Sequence, residues 1–213
     1  TGLEINQEAV REGVASGLRL INQPIEEFVA SSPHHYDVVC AFQVLEHIPN
    51  PKPFIDACVQ ALSPEGILIL SMPAEDSFVS ITANFHLNMP PHHALRWSDL
   101  ALRNLADRER LSVVDVWHEP LAPYHGELHA NVLARYYLQL LGLKKVTPIE
   151  YRFRDRMVSR LLRFKPLRNV FAARAKPYFQ RANVGHTVVL VAMRNGARLL
   201  VKNPGGDQEI SPR

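Results

Sequence analysis

At 213 residues, with 46% hydrophobic and 21% charged side chains, the chain is long enough for one α/β domain with a sizeable core and too short for two large ones. The proportions are those of a soluble globular protein, and no apolar run approaches the roughly 20 residues that a membrane-spanning helix needs. Cys40 and Cys58 lie inside apolar patterns without metal-like spacing and read as reduced core thiols of a cytosolic protein, not as a disulfide or a nucleophile. The net charge of +3 conceals a split: between Lys144 and Arg181 twelve Lys or Arg stand against Glu150 and Asp155, so this segment carries +10 and the remainder −7. Such a segment is either a basic face for anionic substrates, phospholipid or nucleic acid, or a solvated helical surface balancing an acidic domain.

In chain order, Leu3-Glu-Ile5 has the pattern of a strand's end. Over residues 7–16, Ala9, Val10 and Val14 recur at helical spacing and Gly17 acts as a stop. A second short strand follows at 18–21, then a helical turn at 25–30 after Pro24. Residues 36–42 read as a buried strand. A helix over 51–62 places Phe54, Cys58 and Leu62 on one face, with proline at its start. Ser63-Pro-Glu-Gly66 is a turn whose glycine is free to take a positive φ, and 67–72 is a continuous apolar strand of the kind covered on both faces. The alternation β-α-β-α-β predicts a doubly wound parallel sheet. A loop rich in Pro and His spans 73–97, Ser98 caps a helix reaching about residue 108, and 111–117 is a strand. A helical region over 126–181 is interrupted at Gly142, Pro148 and Pro166. Residues 185–194 form the last strand, and 196–213 read as a flexible tail. There are no repeats or low-complexity tracts.

The stretch Tyr36-Asp-Val-Val-Cys-Ala-Phe-Gln-Val-Leu-Glu-His-Ile-Pro-Asn50 concentrates the functional signal. Its strand stops at a polar cluster, Gln43, Glu46 and His47, where an open parallel sheet places its ligands. These residues resemble the fourth motif of class I S-adenosylmethionine (SAM) methyltransferases. Leu62-Ser-Pro-Glu-Gly66 with the following Ile-Leu-Ile-Leu-Ser-Met-Pro is similar to the family's glycine turn and strand. Asn88-Met-Pro-Pro-His-His-Ala-Leu-Arg-Trp-Ser-Asp-Leu resembles a segment of many small-molecule members. The resemblance covers about 1–119 and 183–194. It implies an α/β fold with a Rossmann-like class I methyltransferase sheet, parallel except for an antiparallel last strand, in the order 3-2-1-4-5-7-6. The methyltransferase domain then comprises 1–123 and 183–195, with a basic helical cap inserted at 124–182. The family's first strand and glycine-rich loop would precede residue 3, so the sheet is expected to be N-terminally incomplete. The opening Thr-Gly-Leu-Glu-Ile-Asn is neither a signal peptide nor a natural start, and the expectation is the C-terminal part of a longer methyltransferase.

The resemblance assigns SAM as cofactor and S-adenosylhomocysteine as its product. Glu4 would accept hydrogen bonds from both ribose hydroxyls, since a carboxylate offers two acceptor oxygens; otherwise it is an exposed acid at a helix start. Gln23 stands in for the family's adenine-facing Asp, with Ile25 as the adenine wall, and Phe42, Gln43 and Leu45 match the stretch lining the methionine and sulfonium end. Methyl transfer asks for alignment above all, but a hydroxyl nucleophile gains from a general base, and His47, His92 and His93 are the catalytic candidates. Relatives reading E-x-x-E-H, among them small-RNA terminal 2′-O-methyltransferases and quinone-precursor O-methyltransferases, bind a divalent metal. Here Gln43 replaces the first carboxylate by a neutral group, which weakens a hard-cation site, and no metal is expected. Glu46 reads as a structural acid held by nearby backbone, His47 as a packing or catalytic residue, and Trp97 as a packing one. Tyr124, His125 and His129 open the insertion beside an acceptor pocket.

The function these readings favour is SAM-dependent O-methylation of a small or lipid-linked acceptor beneath a basic cap. The protein would be cytoplasmic and peripheral to the membrane, touching an anionic or membrane surface through 144–181, where Leu161, Leu162, Phe164, Leu167, Val170 and Phe171 interleave with arginines. One rival is an RNA 2′-O-methyltransferase. Nucleic acid is the less favoured partner because Tyr151, Phe153, Phe164, Phe171 and Tyr178 serve equally well as core. The other rival is a non-catalytic, methyltransferase-like binding domain.

Overall fold

The computed structural model describes residues 1–31, 35–82, 88–143, 153–179, 184–197, 199–203 and 206–210. The elements are β1 (Gly2–Leu3), α1 (Gln7–Ala15), β2 (Leu20–Ile21), α2 (Ile25–Ser31), β3 (Tyr36–Phe42), α3 (Pro51–Ala61), β4 (Leu62–Pro73), α4 (Asp99–Arg108), β5 (Leu111–Pro120), α5 (Gly126–Leu140), α6 (Phe153–Leu161), α7 (Lys165–Ala175), β6 (Val184–Arg194), β7 (Leu199–Asn203) and β8 (Gly206–Ile210). Local chemistry sets several of these bounds. The Asn6 side chain accepts from the backbone N–H groups of Glu8 and Ala9 to start α1, and Ser98 accepts from the Ala101 N–H to start α4. At the C-terminal end of α3 the Arg194 guanidinium donates to the Val59 carbonyl at 2.6 Å, beside the bond this acceptor already takes from the Leu62 N–H.

β1 and β2 form a parallel pair, and a separate four-stranded sheet runs in the order β3-β4-β6-β5. β3 and β4 are parallel, while β6 is antiparallel to both β4 and β5. The antiparallel strand thus lies between the two that precede it, as expected from the resemblance. In the expected order one further strand separates those matched by β1 and β3; among the described residues none pairs there, and the sheet is in two pieces.

The core lies on the four-stranded sheet. Leu68, Leu70 and Met72 of β4 and Val188, Leu190 and Ala192 of β6 are buried, with Ile55 and Cys58 of α3 on one side and Leu102 and Ala106 of α4 in the same cluster. Burial pushes the Cys58 thiol up to about 12, an inert core group. A second unit is helical: Leu133 of α5 packs on Ala172 and Ala175 of α7, where small side chains let the helices approach closely. Val132 of α5 meets Phe78 and Val79, which ties this unit to the segment after β4. Across the same interface Glu127 is held below the usual carboxylate range by hydrogen bonds from Lys165 and Arg168.

Four expectations need correction. The strand at 36–42 is not buried: Val38 and Phe42 are 52% and 57% exposed, and Cys40 is exposed rather than a core thiol, because β3 is an edge strand with one open side. Residues 63–66 do not stand apart as a turn but belong to β4, whose pairing with β3 jumps from Tyr36↔Leu62 to Val38↔Ile67 in a bulge. Gly66 there has no positive φ; a Cβ would instead meet the Tyr36 carbonyl oxygen at 2.8 Å, so close backbone approach is what requires glycine. Pro166 does not interrupt a helix but sits in the first turn of α7, and the expected break at Pro148 lies outside the described residues. Finally, the segment read as a tail contains an antiparallel hairpin, β7 with β8.

Candidate active site

The chain leaves β3 through Gln43, whose φ of 55° is a left-handed conformation uncommon for a side-chain-bearing residue. Its N–H donates to the Ser71 carbonyl of β4 at 2.8 Å, which fixes the exit angle. A single 3₁₀ turn, Leu45–His47, follows. Leu45 points into the core and Glu46 is also buried, so the turn is anchored from below while His47 stays accessible.

The Pro- and His-rich loop closes over this turn. The backbone N–H groups of Ala94 and Leu95 both donate to the Glu46 carbonyl, at 2.8 and 3.1 Å. His47 Nδ1–H donates to the His92 carbonyl at 2.7 Å, and His93 Nδ1–H donates to Asn88 Oδ1 at 3.0 Å. Asn88 is itself buried, and its carbonyl receives the Arg96 guanidinium. The outcome is a compact trio of imidazoles. His92 and His93 stack at 5.0 Å, and His47 stands edge-on to each at 5.1 and 4.9 Å. One ligand atom from each ring lies within 4.8 Å of the other two, the one such group of possible metal ligands among the described residues.

The electrostatics follow from burial and crowding. Desolvation, then the neighbouring His47, His92 and Arg96, lowers His93 to about 4, so this ring is neutral at physiological pH. Desolvation raises the Glu46 carboxyl above its ordinary value, against the opposing pull of its backbone hydrogen bond, His47 and His92. Glu46 Oε1 lies 3.9 Å from His47 Nε2, and Oε2 has no hydrogen-bond partner. Because Nδ1–H of His47 and of His93 is held by a fixed acceptor, the neutral form of either ring carries its lone pair on Nε2. Three imidazoles with two held by neighbouring groups can take up a proton or ligate a cation of borderline softness.

The structure brings the three catalytic candidates, His47, His92 and His93, together. The residues expected around a cofactor are distributed along the strand ends. Glu4 follows β1; its N–H pairs with the Ile21 carbonyl, and its Oε1 accepts the Asn6 N–H at 2.7 Å, leaving its second oxygen for another donor. Gln23 and Ile25 follow β2, both half-buried, with Ile25 packed against the main core. Phe42 and Gln43 are exposed at the end of β3, whereas the Leu45 side chain is wholly within the core and would offer a cofactor only its backbone. Trp97 packs, as predicted, in the core.

Tyr124 is exposed and lies tilted against His125, ring centres 4.2 Å apart, whereas His129 is buried edge-on against Phe78 and lines no open surface. Sequence reasoning missed Asn88, which orients His93, and His186, which meets His125 edge-on at 4.4 Å. Burial and His125 lower His186. Asn88 stands at the head of the Pro- and His-rich segment without a recognisable role of its own, and His186 meets His125 only through the fold.

The family model described as a methyltransferase domain matches residues 1–118. The ubiquinone biosynthesis O-methyltransferase of Nitrosospira multiformis is 31% identical over 101 residues, covering 43% of this chain and 42% of that protein. The enzyme of the same name from Saccharophagus degradans is 32% identical over 130 residues, covering 55% of this chain and 54% of that protein. The chain thus spans about half the length of these curated relatives or less. Among solved structures, a SAM-dependent methyltransferase from Archaeoglobus fulgidus is similar with a TM-score of 0.54 at 14% identity, over 90% of this chain and 74% of that one. A possible histamine N-methyltransferase from Thermotoga maritima reaches 0.52 at 13% identity, over 91% and 72%. Likeness at these identities shows the fold, a Rossmann-like methyltransferase fold. With the family model matching more than half of its residues, the chain belongs to the methyltransferase domain family.

Proposed function

We propose that the protein methylates a hydroxyl of a small or lipid-linked acceptor using SAM, with His47 as general base. The observation that carries this reading is the fixed tautomer of His47. Its Nδ1–H is held by the His92 carbonyl, so Nε2 is presented as the acceptor from a turn anchored at the carboxyl end of β3. The acceptor oxygen attacks the methyl carbon as its proton passes to His47 Nε2. The C–S bond breaks with its electron pair going to sulfur, which yields S-adenosylhomocysteine and the methyl ether. Neutral His93 beside His47 adds no repelling charge to the imidazolium that forms, and Glu46 at 3.9 Å supplies a compensating one when ionised. On the cofactor side, the spare oxygen of Glu4 suits the ribose, Gln23 and Ile25 the adenine, and Phe42 with Gln43 and the Leu45 backbone the methionine end. The names of the ubiquinone biosynthesis relatives support an oxygen nucleophile on a small acceptor, and their lipid-soluble product class supports a lipid-linked one.

A second reading is favoured by the mutual proximity of the three imidazoles. The residues present fit a borderline divalent ion: three nitrogen donors, two of them oriented by a carbonyl and by Asn88. Such an ion would lower the pKa of an acceptor hydroxyl. Transfer of labelled methyl from SAM to a catechol separates the readings. With His47 as base, His47→Ala lowers turnover roughly a hundredfold or more and a chelator changes nothing. Loss of activity on chelation, restored by zinc, would instead assign the imidazoles to a metal. Transfer to RNA and not to the catechol would overturn the small-acceptor reading.

A further inference from the structure

Helix α6 carries one more apolar stripe than the fold uses. Val158 and Leu162 face inward, onto Ala134 and Leu138 of α5 and Phe171 of α7. One residue earlier at each step, Phe153, Met157 and Leu161 form a second stripe at four-residue spacing, 72%, 53% and 51% exposed, and Phe164 just beyond is 64% exposed. Isolated apolar side chains on a surface need no explanation, but four on one short helix and its following turn do. Leu140, Leu141 and Leu143, at the end of the helix α6 packs against, are exposed as well.

The charges around this stripe point to its occupant. Arg160 and Arg163 are exposed between its members, Arg174 and Lys176 are exposed at the end of α7, and the segment from Lys144 to Arg181 carries +10. We infer that α6 and the turn after it dock the protein on an anionic phospholipid surface, with Phe153, Met157, Leu161 and Phe164 among the lipid chains and the arginines at headgroup level. This is the arrangement of an interfacial amphipathic helix, in which apolar area supplies adhesion and cations select negative lipids. No helix among the described residues is long and apolar enough to cross a membrane. A nucleic-acid strand suits the face less well: Phe153 and Phe164 offer rings, but Met157, Leu161 and the leucines of α5 between and beside them give bases nothing to stack on. The inference stands on the surface of α6 and does not depend on the methyl acceptor.

Flotation of the full protein with phosphatidylcholine vesicles, with and without phosphatidylglycerol, tests it. The protein should float with the anionic vesicles only, and less as salt rises. Replacing the exposed pair by Leu161→Ser with Phe164→Ser should lower partitioning roughly tenfold or more, and Arg160→Glu with Arg163→Glu should do the same. All four positions are exposed, so circular dichroism and SAM binding should stay as in the parent protein; that separates failure of docking from failure of the methyltransferase reading. Absence of flotation, or flotation unchanged in both double variants, overturns the inference. So does binding of a single-stranded oligoribonucleotide in place of vesicles.

Discussion

Residues 1–31 and the four-stranded sheet repeat the same alternation of strand and helix, yet they end in different physical states. In the first region neither α1 nor α2 has a buried residue, and Ile5, Val14 and Leu18 are exposed. In the second, β4 and β6 bury nearly every inward side chain against α3 and α4. The difference lies in partners, not in composition. Among the described residues β4 is paired on both sides, whereas β1 pairs with β2 alone, over two residues, and β3 has no partner on its far edge. The first region is held by local devices, the Asn6 cap and the Leu18 N–H to Gly13 carbonyl bond after Gly17, and touches the main core through Ile25. Glu4 therefore sits on the lightly packed region, and the histidine corner sits on the rigid one.

Leu70→Ala, in the middle of β4, should cost about 2–5 kcal/mol by urea denaturation. Val14→Ala, equally apolar in sequence but exposed, should change stability by no more than about 0.5 kcal/mol. Equal costs at the two sites would show that residues 1–31 share the main core after all. Hydrogen exchange should separate the regions by a somewhat smaller margin, with amides of α1 opening roughly a hundredfold more readily than those of β4. Matching protection would dissolve the distinction.

A smaller effect, confined to the rigid region, should appear with pH. His93 titrates near 4 in the folded protein against 6.5 ordinarily, so the folded state binds its proton less well than the unfolded chain. Its contribution to stability is present above the ordinary value and is lost as pH falls from about 6.5 toward 4. Melting temperature should decline over that window in the parent protein and less in His93→Gln. Parallel curves would show that the ring's burial carries no such linkage.

Much of this was legible in the residues. The bounds of β3, the Ser98 cap and the antiparallel last strand follow from a run of apolar residues, a capping side chain and the family order. The meeting of His47 with His92 and His93 was legible as a shared end of the sheet, but not as the hydrogen bond that fixes the tautomer. What escaped depends on neighbours. An apolar run looks the same whether or not a strand pairs beyond it, so the exposure of Val38, Cys40 and Phe42 could not be read from 36–42 alone. Gly66 looked like a turn residue because the approach of the Tyr36 carbonyl is a long-range fact. Leu45 belongs to a motif associated with cofactor lining, yet the 3₁₀ turn directs its side chain to the core. Asn88 and His186 carry no pattern of their own.

In the proposed function one site spans both regions, with cofactor binding drawn from the ends of β1 and β2 and proton transfer from the corner after β3. Isothermal titration of SAM into the full-length protein and its Glu4→Ala and His47→Ala variants tests this most directly. The account predicts roughly tenfold weaker binding in Glu4→Ala, where a charge-assisted pair of hydrogen bonds is removed, and near-parental affinity in His47→Ala despite its lost turnover. Absence of binding to the parent protein, or unchanged affinity in Glu4→Ala, would contradict it.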